Sequence, residues 1–350
     1  NLGVQVRVLV YGQNQDEIFY DEQVIIQTIK NIKIKGFSLW LTQQKIKRLI
    51  NKLYINNEID LVESIDWTGI TSFIQPKKCP ILIKLHGSDT YFCKIEKRNL
   101  KKKNYYHERR AILKANYHSA VSEFVAKKTN EFFKTNIDFN IVYNGVDTSK
   151  FKHYNKMTYS KEILYVGTLI RKKGVLELAH IFNLIHEQDP EAKLKLIGGD
   201  STDIQTGRSS TWELMQNIFT ANALKKVNYV GKVPYDDVQQ YLAEADVCVF
   251  PSFAEAFPVS WLEAMSMGKI IIASDIGWAK EIILHNEDGF MVNPKKHKKY
   301  ANYALKVLNR ELDIEYIGRN ARKKIEDKFS SLNIAKLNLS VYQSIINKQR

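Results

Sequence analysis

Short runs of apolar, often β-branched residues recur through the second half of the chain, and stretches with helical periodicity lie between them. The runs that we interpret as buried strands are residues 163–167, 194–197, 227–230, 247–250 and 270–273. Helices are predicted between them at residues 175–186, 238–245 and 258–267. Strands that alternate with helices in this way form βαβ units, which build a parallel sheet.

The first half of the chain shows the same alternation in a less regular form. A strand signal over residues 4–10 comes first; later strands are predicted at 59–62, 81–85, 120–122 and 139–142, and helices at 43–56 and 109–116. A chain of 350 residues has room for roughly two domains. We therefore predict an α/β protein with domains at residues 1–155 and 156–331, a boundary in the polar stretch 153–161, and a last helix, 332–350, that joins the first domain.

The chain is strongly basic, with 52 Lys and Arg against 38 Asp and Glu and a net charge of +14. A charge of this size favours an anionic partner, such as a nucleic acid, a membrane surface or a phosphorylated substrate. Composition does not choose among these partners. The alternative is a general bias toward Lys, Asn and Ile with no functional meaning.

The same composition bears on where the protein works. No apolar run approaches the roughly 18 residues of a membrane-spanning helix, so none is expected. The three cysteines, Cys79, Cys93 and Cys248, have no CxxC spacing and predict neither a disulfide scaffold nor a zinc cluster. With no basic-then-apolar leader after Asn1, we expect a protein of the reducing cytoplasm.

The segment of residues 250–268 carries the strongest chemical signal. A buried strand ends at Phe250, Pro258 suits the first position of a helix, and Gly268 suits its C-terminal cap. The amides near Val259 and Ser260 are then free at the carboxyl end of the sheet, where a helix N-terminus binds phosphate.

Two carboxylates, Glu255 and Glu263, flank this predicted phosphate site. A carboxylate does not favour a phosphate, but it accepts hydrogen bonds from the hydroxyls of a ribose or a hexose. The combination therefore indicates a nucleotide sugar. The alternative is that both are solvated acids near the start of a helix, where they balance its dipole.

This segment resembles the Glu-x7-Glu motif of glycosyltransferase family 4, whose members are retaining enzymes with the two-domain GT-B fold. Further segments resemble the family's motifs in the same order, namely its His-Gly loop at 85–89, its Asn-Gly-Val-Asp motif at 142–148, its Lys-Gly loop at 165–175 and its closing strands at 273–281 and 288–292. The resemblance implies an α/β fold of two Rossmann-like domains that face each other across a cleft, the first for the acceptor and the second for the nucleotide sugar.

The resemblance also implies roles for individual residues. Glu255, His86 and Lys173 are the expected catalytic residues: Glu255 contacts the hydroxyls of the donor sugar, His86 faces donor and acceptor from the first domain, and Lys173 binds the diphosphate. Glu263 holds the ribose. The expected donor-binding set is Gly167, Arg171, Lys173, Phe257, Val259, Ser260 and Glu263.

The chain departs from the family pattern at three places. Thr168 stands where the family usually has Arg, so one diphosphate cation is missing, and Arg171 or Lys172 is the candidate to replace it. Pro258 stands where Gly is common, and it has no N–H to donate. Residues 3–10 resemble the family's second strand, so we expect the first strand and its Gly-rich loop to be absent from the chain as given.

The expected activity is the transfer of a sugar, with retention of configuration, from a nucleoside diphosphate sugar to a saccharide or lipid-linked saccharide in cell-surface polysaccharide synthesis. Lys173 and the helix N-terminus would stabilise the leaving diphosphate. No Asp-x-Asp pair follows a strand, so neither a metal nor another cofactor is expected. Two alternatives stay open, a sucrose- or trehalose-type synthase and a non-catalytic basic module that binds glycan or nucleic acid.

One segment of the first domain combines charge with aromatic residues. Residues 94–103 are rich in basic side chains and are followed by Arg109 and Arg110. The aromatic residues of the segment are Tyr91, Phe92, Tyr105 and Tyr106. We interpret this segment as a docking site for anionic lipid on the inner face of the plasma membrane. The alternative is a solvated helix face. No DNA or RNA motif accompanies the charge, so no nucleic-acid partner is expected.

Overall fold

The computed structural model describes residues 2–153 and 160–349. Two compact units are present. The first comprises the described residues of Asn1–Val121, Val125–Val142 and Ala335–Arg350, and the second those of Ser122–Phe124 and Tyr143–Ile334. The predicted boundary after residue 155 lies outside the described residues. Residues 143–153, which we predicted in the first domain, pack in the second unit because Val146 pairs with Ser330 there.

The first unit contains two sheets. Strands β1 (Val6–Gln13), β2 (Glu17–Asp21) and β3 (Val24–Lys30) form a sheet in the order β1-β3-β2, in which β1 and β3 are parallel and β2 and β3 antiparallel. Strands β4 (Val62–Ile65), β5 (Ile81–Leu85), β6 (Tyr117–Ala120) and β7 (Asn140–Ile141) form a parallel sheet in chain order. The β2–β3 hairpin was not predicted from the sequence.

The helices of this part of the chain are α1 (Ser38–Ile55), α2 (Asp89–Ile95), α3 (Lys102–Lys114) and α4 (Glu123–Phe133). A 3₁₀ segment, Trp67–Phe73, lies against α3 so closely that a Cβ on Gly69 would come within 2.3 Å of the main chain of His107. The hydroxyl of Ser88 caps α2 by accepting from the amide of Tyr91 at 3.2 Å. This cap fixes the loop that leaves β5, because α2 begins one residue after Ser88.

The second unit is built on one parallel sheet of six strands. These strands are β8 (Glu162–Val166), β9 (Lys193–Ile197), β10 (Val227–Gly231), β11 (Val247–Phe250), β12 (Ile270–Ala273) and β13 (Phe290–Met291). Every residue of β11 and β12 is buried, so their continuous apolar sequence is that of strands covered on both faces. The predicted parallel sheet is confirmed, and the predicted bounds of β11 and β12 are those observed.

Helices connect and cover these strands. They are α5 (Val175–Gln188), α6 (Thr211–Gln216), α7 (Ala221–Leu224), α8 (Val238–Glu244), α9 (Val259–Ser266), α10 (Ala279–Ile282), α11 (His297–Leu308), α12 (Ile314–Lys324) and α13 (Ser331–Asn347). From Ala335 onward α13 belongs to the first unit, where Asn338 accepts from the ammonium of Lys84 at 3.0 Å. Among the described residues, no helix has both the length and the apolar character that crossing a membrane requires.

The order of the six strands determines where this unit can hold a ligand. The order is β10-β9-β8-β11-β12-β13, so the chain moves outward from β8 in one direction and then returns to start again at β11. The loops that follow β8 and β11 therefore diverge at the carboxyl edge of the sheet. Such a switch point leaves a crevice, and ligands of parallel α/β sheets bind there.

Candidate functional site

The loop after β8 is held tightly against the loop after β11. Lys173 lies in a 3₁₀ turn, Arg171–Lys173, that ends at Gly174 with φ +69°. A Cβ on Gly174 would lie 1.8 Å from the carbonyl oxygen of Pro251, so only glycine fits. The amide of Phe253 donates to the carbonyl of Lys172 at 2.7 Å. These contacts bring the side chains of both loops to one place.

Lys173 and Glu255 meet at this junction. The Lys173 Nζ lies 3.4 Å from Glu255 Oε1, and the hydroxyl of Ser252 donates to the same oxygen at 3.0 Å. Both charged side chains are largely buried. Lys173 Nζ also lies beside Gly167, whose backbone has φ +151° and on which a Cβ would approach the ammonium to 3.3 Å. The structure thus brings three of the predicted site residues into contact.

Helix α9 begins just beyond this junction. Pro258 is its N-cap rather than its first residue as predicted, and no side chain caps the helix or places an acid in its first turn. Val259, the first helical residue, is 37% exposed, and Ser260 is partly exposed. The first-turn amides and the positive end of the helix dipole are therefore the local source of anion affinity.

Glu263 lies inside α9 and is 5% exposed. Burial raises the pKa of its carboxyl, and the nearby Tyr235, Lys150 and Lys173 act in the opposite direction. The hydroxyl of Tyr235 donates to Glu263 Oε1 at 2.8 Å, and Lys150 Nζ lies 4.0 Å from the centroid of the Tyr235 ring. Glu263 is therefore a buried, oriented acceptor.

Tyr235 and Lys150 were missed from the sequence. Tyr235 was within reach of the reasoning that found the other residues, because it follows Pro234 a few residues beyond the carboxyl end of β10. Lys150 had no such signal, since it lies in the segment after the Asn-Gly-Val-Asp motif and far along the chain from any strand end of the sheet.

The guanidinium of Arg171 is already paired with a carboxylate of the protein, that of Asp203. Its Nε and Nη2 each donate to a carboxylate oxygen of Asp203 at 2.8 Å, and the Asp203 side chain is 1% exposed. The guanidinium lowers the pKa of Asp203 to about 2. Arg171 was predicted to supply the cation that Thr168 does not. The structure places it near the site with much of its hydrogen-bonding capacity already used, and its role toward a ligand stays a prediction.

Phe257 was predicted in the donor-binding set, but its side chain is 4% exposed. It stacks on Tyr143 with ring centroids 5.0 Å apart and packs against Phe329, while Asn144 donates to its carbonyl at 2.9 Å. Within this unit the ring therefore supports the loop before α9. The motif of residues 142–148 takes part in this support, which is a structural role.

Gly198 and Gly199 follow β9. Gly198 has φ +141°, and a Cβ there would lie 2.0 Å from the carbonyl oxygen of Gly167. The close approach of the ends of β8 and β9 therefore requires glycine at this position.

In the first unit, His86 follows β5 and has an exposed ring. Its amide donates to Asp66 Oδ1 at 3.0 Å. Desolvation by surrounding protein, and then the charge of Lys84, lower the pKa of His86 to about 4, so the imidazole is neutral at pH 7. A neutral imidazole offers one donor and one acceptor to a sugar hydroxyl.

Two buried carboxyls brace this loop, and neither was found from sequence. Glu108 accepts from the amides of Thr68, Asp89 and Thr90 at 3.0–3.1 Å, which joins α3 to the start of α2. Burial raises the pKa of Asp66 to about 7, and its Oδ2 has no hydrogen-bond partner among the described residues. A sequence offers little warning of such residues, because a single acid in a helix or turn is usually exposed.

Within the described ranges, no group of three or more His, Cys, Asp or Glu side chains could hold a metal ion. At the carboxyl edge of the six-stranded sheet, the anion-binding groups described above are the Lys173 ammonium and the first-turn amides of α9.

With the fold and these contacts established, the sequence was compared with known families. Residues 146–324 match the family described as Glycosyl transferases group 1, and residues 1–150 match Glycosyltransferase Family 4. The chain therefore belongs to the group 1 glycosyl transferases, with an amino-terminal part of the family 4 type. The α/β architecture with parallel sheets is that of the GT-B fold.

Individual relatives agree with this assignment. An uncharacterised glycosyltransferase of Methanocaldococcus jannaschii is 31% identical over 64% of this chain and 58% of its own length. CapM, a capsular polysaccharide biosynthesis glycosyltransferase of Staphylococcus aureus, is 28% identical over 59% of this chain and 54% of its own. The matches thus span little more than half the length of these relatives.

Two solved structures share the fold. Sucrose-phosphate synthase from Thermosynechococcus elongatus superposes with a TM-score of 0.79 at 19% identity and covers 99% of this chain and 90% of its own. Anabaena HepE in complex with UDP and glucose has a TM-score of 0.71 at 19% identity and covers 92% of this chain and 86% of its own. At these identities the likeness concerns the fold.

Proposed function

We propose that this protein is a retaining glycosyltransferase that moves a hexose from a nucleoside diphosphate sugar to a saccharide or lipid-linked saccharide in cell-surface polysaccharide synthesis. The observation that carries the proposal is the grouping of Lys173, Glu255 and Glu263 at the switch point of the six-stranded sheet. The Lys173 ammonium suits the diphosphate of such a donor. The Glu255 carboxylate, held beside it, suits the sugar, and the buried Glu263 carboxylate suits the ribose.

In this proposal Glu263 accepts from the ribose hydroxyls. Tyr235 already occupies Oε1, so Oε2 is the oxygen offered to the ribose. Because the carboxylate is buried, each hydrogen bond to it is made in a medium of low dielectric constant and is correspondingly strong.

Lys173 and the first-turn amides of α9 take the diphosphate. In the chain alone the Lys173 ammonium is balanced by Glu255. A bound diphosphate would compete for this ammonium and free Glu255 to accept from the sugar hydroxyls. As the bond from the sugar to the diphosphate breaks, negative charge grows on the leaving oxygen, and Lys173 and the helix N-terminus stabilise it. The acceptor hydroxyl attacks from the same face and gives its proton to the departing diphosphate oxygen, so the configuration is retained without a covalent enzyme intermediate.

We further propose that neither a metal nor another cofactor is needed, and that the reaction takes place in the cytoplasm. The three cysteines are buried thiols, which suits a reducing compartment. UDP is the nucleotide to test first, since it is bound with glucose in HepE, and a polysaccharide acceptor is favoured by the likeness to CapM. The neutral His86 is proposed to contact the sugar.

The test is a thermal-shift panel with UDP, GDP, ADP, CMP and dTDP in EDTA. A ligand at 100 times its dissociation constant adds about 2.7 kcal/mol to the free energy of unfolding.

Glu263→Gln should weaken nucleotide binding by about 1.5–3 kcal/mol, since it removes hydrogen bonds to a charged group. Glu287→Gln, an exposed acid of the same unit, is the matched control.

Lys173→Met should lower both nucleotide affinity and turnover, whereas Lys298→Met at an exposed position should change neither. The anomeric configuration of the product, read by NMR, tests retention. A panel in which no nucleotide stabilises the protein would contradict the proposal and favour a binding module. Activity that is lost in EDTA would refute the metal-independent mechanism.

A further inference from the structure

A cavity in the first unit takes no part in the site described above. Its volume is about 480 Å³. The lining residues come from the last three turns of α3 and from the end of α4, and they are Tyr105, Tyr106, Arg109, Arg110, Leu113, Lys114, Phe133 and Lys134.

Helical spacing explains how α3 presents this surface. Tyr105, Arg109 and Leu113 are separated by four residues each, as are Tyr106, Arg110 and Lys114, so both rows lie side by side on one face. Glu108, Ala111 and Ile112 on the other face are buried in the unit. The cavity face is therefore oriented outward by the burial of the face behind it.

The charged side chains that line this cavity are all positive. Four of its eight lining residues are cationic and none is acidic. Its lysines stand near the C-terminal ends of α3 and α4, where two helix dipoles together supply about one negative charge. Four positive charges exceed that, so roughly three remain to attract an anion. Within residues 2–153 and 160–349, the side chains of Lys114 and Lys134 make no hydrogen bond or ion pair.

The two arginines are fixed in position. Arg109 donates through Nε to the carbonyl of Phe133 at 3.0 Å, and Arg110 donates through Nε to the carbonyl of Ser72 at 2.8 Å. The Arg110 guanidinium also lies 4.5 Å from the centroid of the Phe73 ring. A side chain that is held before binding loses less conformational entropy when a ligand arrives.

Apolar side chains are exposed beside these cations. Tyr106 is 54% exposed and Leu113 is 45% exposed. If the ligand were a small phosphorylated metabolite, the side chains of Tyr106 and Leu113 would remain exposed to water. A single-stranded nucleic acid needs aromatic rings along an extended groove rather than one cavity. An anionic amphiphile satisfies both features, because its phosphate meets the cations and its apolar part meets Leu113 and Tyr106.

We propose that this cavity binds the phosphate headgroup of an anionic phospholipid and docks the protein on a membrane surface. The segment predicted from sequence already included Tyr105, Tyr106, Arg109 and Arg110. The cavity contains these four residues and adds Leu113, Lys114, Phe133 and Lys134, but none of residues 94–103. This inference goes beyond the proposed sugar transfer and does not depend on it, since the residues involved belong to a different unit from Lys173, Glu255 and Glu263.

The test measures partitioning onto vesicles of phosphatidylcholine with and without phosphatidylglycerol. Each basic residue near an anionic surface contributes about 1 kcal/mol, which is about fivefold in the partition coefficient. The double variant Lys114→Glu/Lys134→Glu should therefore bind phosphatidylglycerol vesicles at least about 30-fold more weakly. The double variant Lys298→Glu/Lys299→Glu, at exposed positions of the second unit, makes the same change in net charge and should bind nearly as the parent chain does.

A further variant, Leu113→Ser, leaves the net charge unchanged and should also weaken vesicle binding several-fold, because the apolar contact is lost. Circular dichroism and the nucleotide-induced thermal shift check that each variant is folded, and the thermal shift reads the second unit independently of lipid. Failure of the nucleotide assay with intact vesicle binding would thus affect only the proposed sugar transfer.

Three outcomes would overturn the lipid proposal. Equal losses in both double variants would mean diffuse attraction by net charge. Displacement of the protein from vesicles by glycerol phosphate at low concentration would mean a site for small phosphates. Binding of single-stranded RNA that depends on Lys114 and Lys134, without vesicle binding, would mean a nucleic-acid site.

Discussion

The two units use β-structure in opposite ways. In the second unit, strand β12 has the sequence IIIA and all of its residues are buried, with helices above and below the sheet. In the first unit, strand β2 has the sequence EIFYD and all of its residues are exposed, although three of them are large and apolar. One sheet is covered on both faces, and the other presents an uncovered strand.

Close packing restricts which residues fit at some turns of the protein and not at others. At the switch point of the second unit, Gly174 leaves no room for a methyl group beside Pro251. At the end of β1 in the first unit, Gly12 also has a positive φ, +86°, but nothing lies within 4 Å of where its Cβ would be. The loop that carries Lys173 in the second unit is thus closely packed, whereas the turn at Gly12 in the first unit has room for a side chain.

The largest expected effect comes from Gly174→Ala. The left-handed backbone and the collision with the Pro251 carbonyl together should cost about 3–5 kcal/mol, enough to disrupt the loop that carries Lys173. Gly12→Ala, which meets no atom, should cost about 1–2 kcal/mol from the backbone conformation alone. Hydrogen exchange followed peptide by peptide reads each unit separately. Similar losses in both variants would show that the contrast between the loops is wrong.

A smaller effect is expected from removing side chains of the two kinds of strand. Ile272→Ala in β12 should destabilise the second unit by about 2–5 kcal/mol, because it leaves a cavity in a filled core. Ile18→Ala in β2, where the side chain is 57% exposed, should stay within about 0.5 kcal/mol. Urea denaturation with peptide-resolved exchange gives both values. A large effect at Ile18 would reveal that something covers β2 in solution.

The smallest expected effect concerns the loop of His86. Because burial raises the pKa of Asp66 to about 7, the folded state binds a proton that the unfolded state has lost above its ordinary value of 3.8. This carboxyl therefore makes the first unit less stable as pH rises from about 4 to 7. Asp66→Asn keeps the acceptor for the His86 amide and removes the ionisation, so at pH 8 it should stabilise the unit by about 1–3 kcal/mol.

The measurement is hydrogen exchange of peptides that cover residues 81–95 at pH 5 and pH 8, corrected for the intrinsic rates. The variant should protect this segment more than the parent chain at pH 8, and by a clearly smaller margin at pH 5. His86 works in the other direction, since its lowered pKa adds stability above its ordinary value of 6.5 that is lost as pH falls toward 4. Protection that is unchanged by Asp66→Asn at pH 8 would mean that Asp66 is ionised in the folded protein at little cost.

Much of the fold followed from local patterns. The strands at residues 81–85, 247–250 and 270–273 have the predicted bounds, because buried parallel strands are short runs of mostly apolar residues, here interrupted only by Lys84. The β2–β3 hairpin was missed because its strands are only partly apolar and partly or wholly exposed, so neither periodicity nor a continuous run marks them. The strand predicted at 59–62 begins at Val62 instead.

The residues of the site also divide into those that could be predicted from the sequence and those that could not. Lys173, Glu255 and Glu263 could be proposed from sequence because they follow strand ends at a motif with recognisable spacing. Asp66 and Asp203 could not, since each matters through a partner that lies 20 or 32 residues away along the chain. The sequence alone placed Arg171 among the ligand-binding residues, whereas the structure shows its guanidinium held by Asp203.

The sequence by itself determined the alternation of strands and helices in the second unit, the parallel character of its sheet and the loops that carry its charged residues. These are properties of neighbouring residues, namely apolar runs, helical periodicity and the positions of glycine and proline. Only the tertiary structure decided which cations are free for a ligand, which carboxyls are buried and which side chains share the cavity on α3. Those properties depend on distances between residues far apart in the chain, because hydrogen bonding and desolvation act through space.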